Sequence, residues 1–169
     1  MTNIKAFDSW YSFHQQLVLV FNLIIVVTLV PFGWIYLQVD SGRFEPYFSE
    51  LWIRLVGALL LFGGASGIIW KSYRRGNEAL KDYDQGLTIG QKLRHYYQVQ
   101  IRKFLRYELA CVLIVAGMYF FEPLLFAIAY LFVLFVFSLD WPKYDKVVVQ
   151  MKFTKEDREV LEQKDHKLD

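Results

Sequence analysis

The chain of 169 residues holds one cysteine, three histidines and four prolines, little of what builds a disulfide framework, a metal centre or a loop-rich fold. Cys111 has no partner for an internal disulfide and falls in an apolar run, where a thiol behaves as a small hydrophobe. His14, His95 and His166 lie in three different segments, none with a second histidine, cysteine or acid at metal-ligand spacing, so no metal site is expected. Nucleophile elbows, zinc-protease helices and dinucleotide fingerprints are lacking, and Gly86-x-x-x-Gly90 has no Lys-Thr sequel of a phosphate loop. No cofactor is implied.

Charge is scarce as well. At 55% hydrophobic, 18% aromatic and 21% charged, the chain is too apolar for a soluble domain of its length. The net charge of +2 hides a segregation. Between positions 71 and 106, Lys71, Arg74, Arg75, Lys81, Lys92, Arg94, Arg102, Lys103 and Arg106 stand against only Glu78, Asp82 and Asp84.

Long apolar runs are what the sequence has. A hydrocarbon core of about 30 Å takes about 20 helical residues at about 1.5 Å each. Four runs approach that length: 17–38, 51–70, 104–121 and 124–139. The fold expected is therefore an all-α integral membrane protein whose four transmembrane helices form two hairpins within 1–142, followed by a charged tail, 143–169. The first run continues without an Ala-x-Ala-like site and reads as a retained span rather than a cleaved signal. Pro31 and Gly33 interrupt its outer third, where a kink is expected.

Short loops rich in Lys and Arg stay on the cytoplasmic side. The 38–50 loop has one cation, Arg43, and an aromatic belt of Trp34, Tyr36, Phe44, Tyr47 and Trp52, so it is placed outside. Both termini and the stretch 71–103 are then cytoplasmic, which in a bacterium means the inner membrane. Lipid accounts for the basic loop without nucleic acid, whose binding is not expected.

The 71–103 stretch reads as a helical hairpin extending the second and third spans. Trp70, Tyr73, Asn77 and Leu80 continue one helix as far as a turn at Asp82-Tyr-Asp84-Gln-Gly86. Thr88-Ile-Gly-Gln91 matches a capping box that starts the other at Ile89. Its apolar face, with Ile89, Leu93, Tyr96, Tyr97, Ile101, Phe104 and Leu105 at steps of three and four, runs into the third span. Leu93, Tyr97 and Ile101 are the partner-binding candidates. In the tail, Val147, Val149, Met151 and Phe153 alternate with Lys146, Val148, Gln150 and Lys152 as in a strand, and Thr154 with Asp157 opens a short helix. Ile4, Phe7, Trp10, Tyr11 and His14 are spaced as in a short helix on the membrane surface.

Ionisable groups within apolar spans are functional candidates by default. Arg54, one turn inside the second span, has Glu50 at i−4 and Glu122 at similar depth as partners. Glu108 is expected just inside the inner interface, in an ion pair with Arg106, Lys71 or Arg75, with a proton-carrying site as the alternative. Asp140 precedes Trp141-Pro142, where a helix stop suffices. None of the four is expected at mid-membrane, which argues against a pump. Asn22 and Thr28 are the deepest polar groups, suited to interhelical hydrogen bonds.

Glycines supply the remaining motif. Gly57 and Gly63-x-x-x-Gly67 permit close approach of another helix, which in lipid only packing rewards. That helix belongs to this chain, to a second copy or to another protein. The function expected is non-enzymatic: a small inner-membrane protein working through protein contacts, as an accessory or assembly subunit or as an immunity protein against a pore-forming toxin. The alternative is a homo-oligomeric channel or small transporter with Asn22, Thr28, Arg54 and Glu122 near its path. A third reading, a lipid-directed enzyme using Glu108, Asp140 and His95, has no spacing that names a reaction.

Overall fold

The computed structural model describes residues 7, 9–43, 45, 47–48, 50–81, 87–121 and 123–162. All regular structure among them is helical: α1 (Trp10–Asp40), α2 (Leu51–Lys81), α3 (Ile89–Phe120), α4 (Pro123–Leu139), α5 (Tyr144–Gln150) and α6 (Lys155–Glu162). Ile4, Phe44, the stretch 82–86 where a turn is expected, Glu122 and His166 lie outside the described residues.

Two helices, α1 and α2, are long and apolar enough to cross a membrane, and α4 with α5, bent by 71°, makes a third if the pair acts as one broken span. The four runs of the sequence, the last two shorter than the first two, thus become two to three candidate crossings among the described residues. The reason lies in α3 and α4. Arg106 and Glu108 leave α3 only its last three turns free of charge, and α4 ends after 17 residues.

Helix ends follow the caps. Thr88 donates its backbone N–H to Gln91 Oε1 at 3.2 Å just before α3 begins, the reach-back half of a capping box. Thr154 and Asp157 complete a reciprocal box on α6: Asp157 N–H to Thr154 Oγ1 at 3.2 Å, and Thr154 N–H to Asp157 Oδ2 at 3.0 Å. Past α1, Gly42 takes φ +66°, its N–H bonding the Val39 carbonyl at 3.0 Å while that of Arg43 bonds Gln38 at 3.1 Å. This is a Schellman stop with glycine in the left-handed position. Upstream, α1 contains Pro31 and also Trp10 to His14, so the separate surface helix expected there is the first turn of α1. No glycine or proline separates the two stretches to break the helix.

The chain divides into two compact units. One joins Asn22–Tyr73 to Phe104–Trp141. Its core is aromatic: Phe126 stacks on Phe62 with ring centroids 4.5 Å apart, Phe32 on Tyr130 at 4.2 Å and Phe48 on Phe121 at 5.4 Å. Outside that core the unit presents large apolar side chains, among them Leu23, Val30, Leu59, Leu60, Leu131 and Phe135, all exposed. Soluble proteins rarely expose so much contiguous apolar surface.

The other unit gathers the described parts of Met1–Phe21, Arg74–Lys103 and Pro142–Asp169. Phe13, Leu17, Leu93, Tyr96, Val147 and Met151 have no exposed surface. Gly76 leaves room for the aliphatic stem of Lys103, whose Cδ stands 3.2 Å from where a Cβ would be. The strand expected around 147–153 is helix α5 followed by a turn. Val147, Val148 and Met151 are buried while Val149 is 70% exposed, so the buried set follows a helical period and packing overrides β-branched propensity. Past α5 the chain stops as it does past α1. Lys152 takes φ 49°, its N–H bonding Val149 at 3.3 Å and that of Phe153 bonding Val148 at 3.1 Å.

Candidate functional site

The glycines fall into two groups. A Cβ on Gly57 would strike the Phe121 ring, and one on Gly117 the Phe126 ring. These two serve packing inside the unit, and Gly117 carried no spacing signal that would have singled it out. Gly63, Gly64 and Gly67 are different, with nothing within 4 Å of a Cβ at any of them. They lie on the less covered of the two long apolar helices: 11% of the most apolar stretch of α2 is buried, against 22% for α1.

Beside that open face is an apolar groove of about 800 Å³ between α2, α3 and α4. Phe62, Ala65, Trp70, Tyr73, Ile114 and Val133 are among the residues that line it. The groove lies about a third of a turn round α2 from Gly63 and Gly67, at 3.6 residues per turn.

The face assigned to a partner is turned into its own unit. Leu93 has no exposed surface, Tyr97 meets Phe7 edge-on with centroids 5.3 Å apart, and Ile101 is half-buried. An amphipathic period reports that a face is covered, not by what. Here the cover comes from the chain: Phe13 packs against Tyr96 at 6.0 Å, and Trp10 against Tyr144 at 5.1 Å. Lys92 on α3 pairs with Asp157 on α6 at 3.6 Å and sits 5.6 Å over the Phe153 ring. His95 contacts the Ala79 carbonyl at 3.0 Å, a link between α3 and α2.

Among the intramembrane candidates, Asn22 is exposed and Thr28 buried. The Thr28 hydroxyl lies 3.1 Å from that of Tyr130 and donates to Glu108 Oε2 at 3.4 Å. Glu108 thus has Thr28, near the middle of α1, as its neighbour, not the basic residues of the inner interface. Its Oε1 is buried without a hydrogen-bond partner, and none of the described cations lies within ion-pair distance of it. Cys111, fully buried, lies one turn further along α3.

Asp140 does more than end a helix. The buried Tyr107 hydroxyl donates to its Oδ2 at 2.9 Å, tying α3 to the end of α4. Arg54 is half-buried, and the Glu50 carboxylate expected beside it accepts from the Trp52 indole at 2.8 Å. Its other expected partner, Glu122, is outside the described residues.

Compared with family models, curated proteins and solved structures, the chain matches none.

Proposed function

We propose that this is a small, non-enzymatic membrane protein that works by holding another membrane protein, or a second copy of itself, against the open face of α2. The observation that carries the reading is the contrast among its glycines. Where the chain uses a glycine itself, a ring fills the space, Phe121 from the turn after α3 at Gly57 and Phe126 from α4 at Gly117. Gly63 and Gly67 have the same helical setting and no such neighbour. In lipid the gain from small residues comes from packing against another helix, so an unfilled seam on an apolar span suits a helix supplied from elsewhere.

In this reading the chain crosses the inner membrane four times as two hairpins, α3 and α4 forming the second, with both termini and the 71–103 stretch in the cytoplasm. The basic residues of that stretch support the orientation. An accessory or assembly subunit fits, as does an immunity protein that engages a toxin's membrane segment. Replacing Gly63 and Gly67 together by leucine should release the partner in detergent extracts; an unchanged complex would remove the support.

A second reading, a homo-oligomeric channel or small transporter, is favoured by one observation, the Glu108 carboxyl group among the helices beside Thr28 and Tyr130. Flux into liposomes holding this chain alone, altered by Glu108→Gln, would support it. Liposomes that stay tight would exclude it.

A further inference from the structure

We infer that Glu108, Thr28 and Tyr130 form a binding site for one monovalent cation, a proton or a sodium ion, set among the apolar helices. Three oxygens from three helices meet there: Glu108 Oε2 lies 3.4 Å from Thr28 Oγ1, and Thr28 Oγ1 lies 3.1 Å from the Tyr130 hydroxyl. Thr28 is 2% exposed and Tyr130 not at all, so no water competes at the hydroxyls. The second carboxylate oxygen, Oε1, is buried with no hydrogen-bond partner.

A carboxylate withdrawn from water is kept only if its charge is compensated. Lysine or arginine does this in most proteins, yet no described cation is within ion-pair distance of Glu108. What meets the carboxyl group is the Thr28 hydroxyl from α1, itself bonded to the Tyr130 hydroxyl of α4. A cation taken from solution is the remaining compensation.

The hydroxyls suit the task. Each can donate one hydrogen bond and accept two. With Glu108 ionised, Tyr130 donates to Thr28 and Thr28 to the carboxylate. With a proton bound, Glu108 donates to Thr28 and Thr28 to Tyr130. The chain reverses without any heavy atom moving. For sodium, the same oxygens are the donor type that hard cations take. The site is independent of the glycine seam, so it holds whether or not a partner docks on α2.

Dicyclohexylcarbodiimide, which partitions into apolar regions, tests the site. A protonated carboxyl group adds across its C=N bond and rearranges to a stable N-acylurea with no leaving group, so the peptide gains the whole reagent mass. Applied to the purified full chain in liposomes, the reagent should give one adduct at Glu108, falling as pH rises. Sodium that protects at fixed pH identifies sodium as a ligand; sodium without effect assigns the site to the proton. Glu108→Gln should abolish the adduct. Thr28→Val and Tyr130→Phe, near-isosteric changes that keep the packing, should shift its pH range. Absence of an adduct at every pH overturns the inference, as does an adduct indifferent to both pH and sodium.

Discussion

Thr28 on α1 and Tyr130 on α4 place their hydroxyl oxygens 3.1 Å apart where neither side chain has more than 2% of its surface exposed. Interhelical hydrogen bonds of this kind are worth roughly 0.6 kcal/mol in membranes and at most about 2. Thr28→Val removes this bond and the one to Glu108, so the purified protein should lose about 1 kcal/mol in reversible unfolding by denaturing detergent. Tyr130→Phe should lose a similar amount. The double variant should lose less than the sum, since both changes break the same bond.

The glycines give opposite expectations at positions alike in sequence. Gly117→Ala drives a methyl group into the buried Phe126 ring, which is itself stacked on Phe62, and should destabilise by about 1 to 3 kcal/mol. Gly57→Ala meets the Phe121 ring in the same way. Gly63→Ala and Gly67→Ala meet open space and should leave the melting temperature of the isolated chain unchanged or raised. Thermal melts of the four variants in one detergent separate the two groups.

Two helices end in the same left-handed stop, one with Gly42 and the other with Lys152. A side chain in that conformation costs about 1 kcal/mol relative to glycine. Lys152→Gly should therefore slow hydrogen exchange of the α5 amides, whereas Thr154→Ala, removing the cap of α6, should speed exchange in α6 by an amount equivalent to about 1 kcal/mol. Exchange read peptide by peptide by mass spectrometry checks both.

Orientation is open to a direct check. A membrane-impermeant thiol reagent applied to intact cells should label a cysteine placed at Gly42 and spare one placed at Thr88, each tested with Cys111→Ala to silence the buried native thiol. The reverse pattern would place the basic stretch outside.

Local chemistry was legible in the sequence wherever it acts over a few residues. Thr88 and Thr154 announced helix starts because a cap and its partner lie three residues apart, and α2 and α3 extend beyond their apolar runs as the periodicity of 71–103 implied. What depends on distant segments was not legible. The period that exposed Leu93 and Tyr97 as a face is silent on whether Phe7, Phe13 or a foreign chain covers it. Tyr130 looked like one aromatic among many until Thr28, 102 positions earlier, stood beside it. Val147 and Val149 alternate like a strand because three consecutive valines, Val147 to Val149, satisfy either period.

The open seam on α2 is most directly tested by mass. Extracted from its native membrane with a mild detergent and weighed intact by native mass spectrometry, the wild-type chain should carry a second polypeptide, its own copy or another, that the Gly63→Leu, Gly67→Leu variant has lost. A wild-type chain that emerges alone, with only lipid and detergent attached, would contradict the proposal.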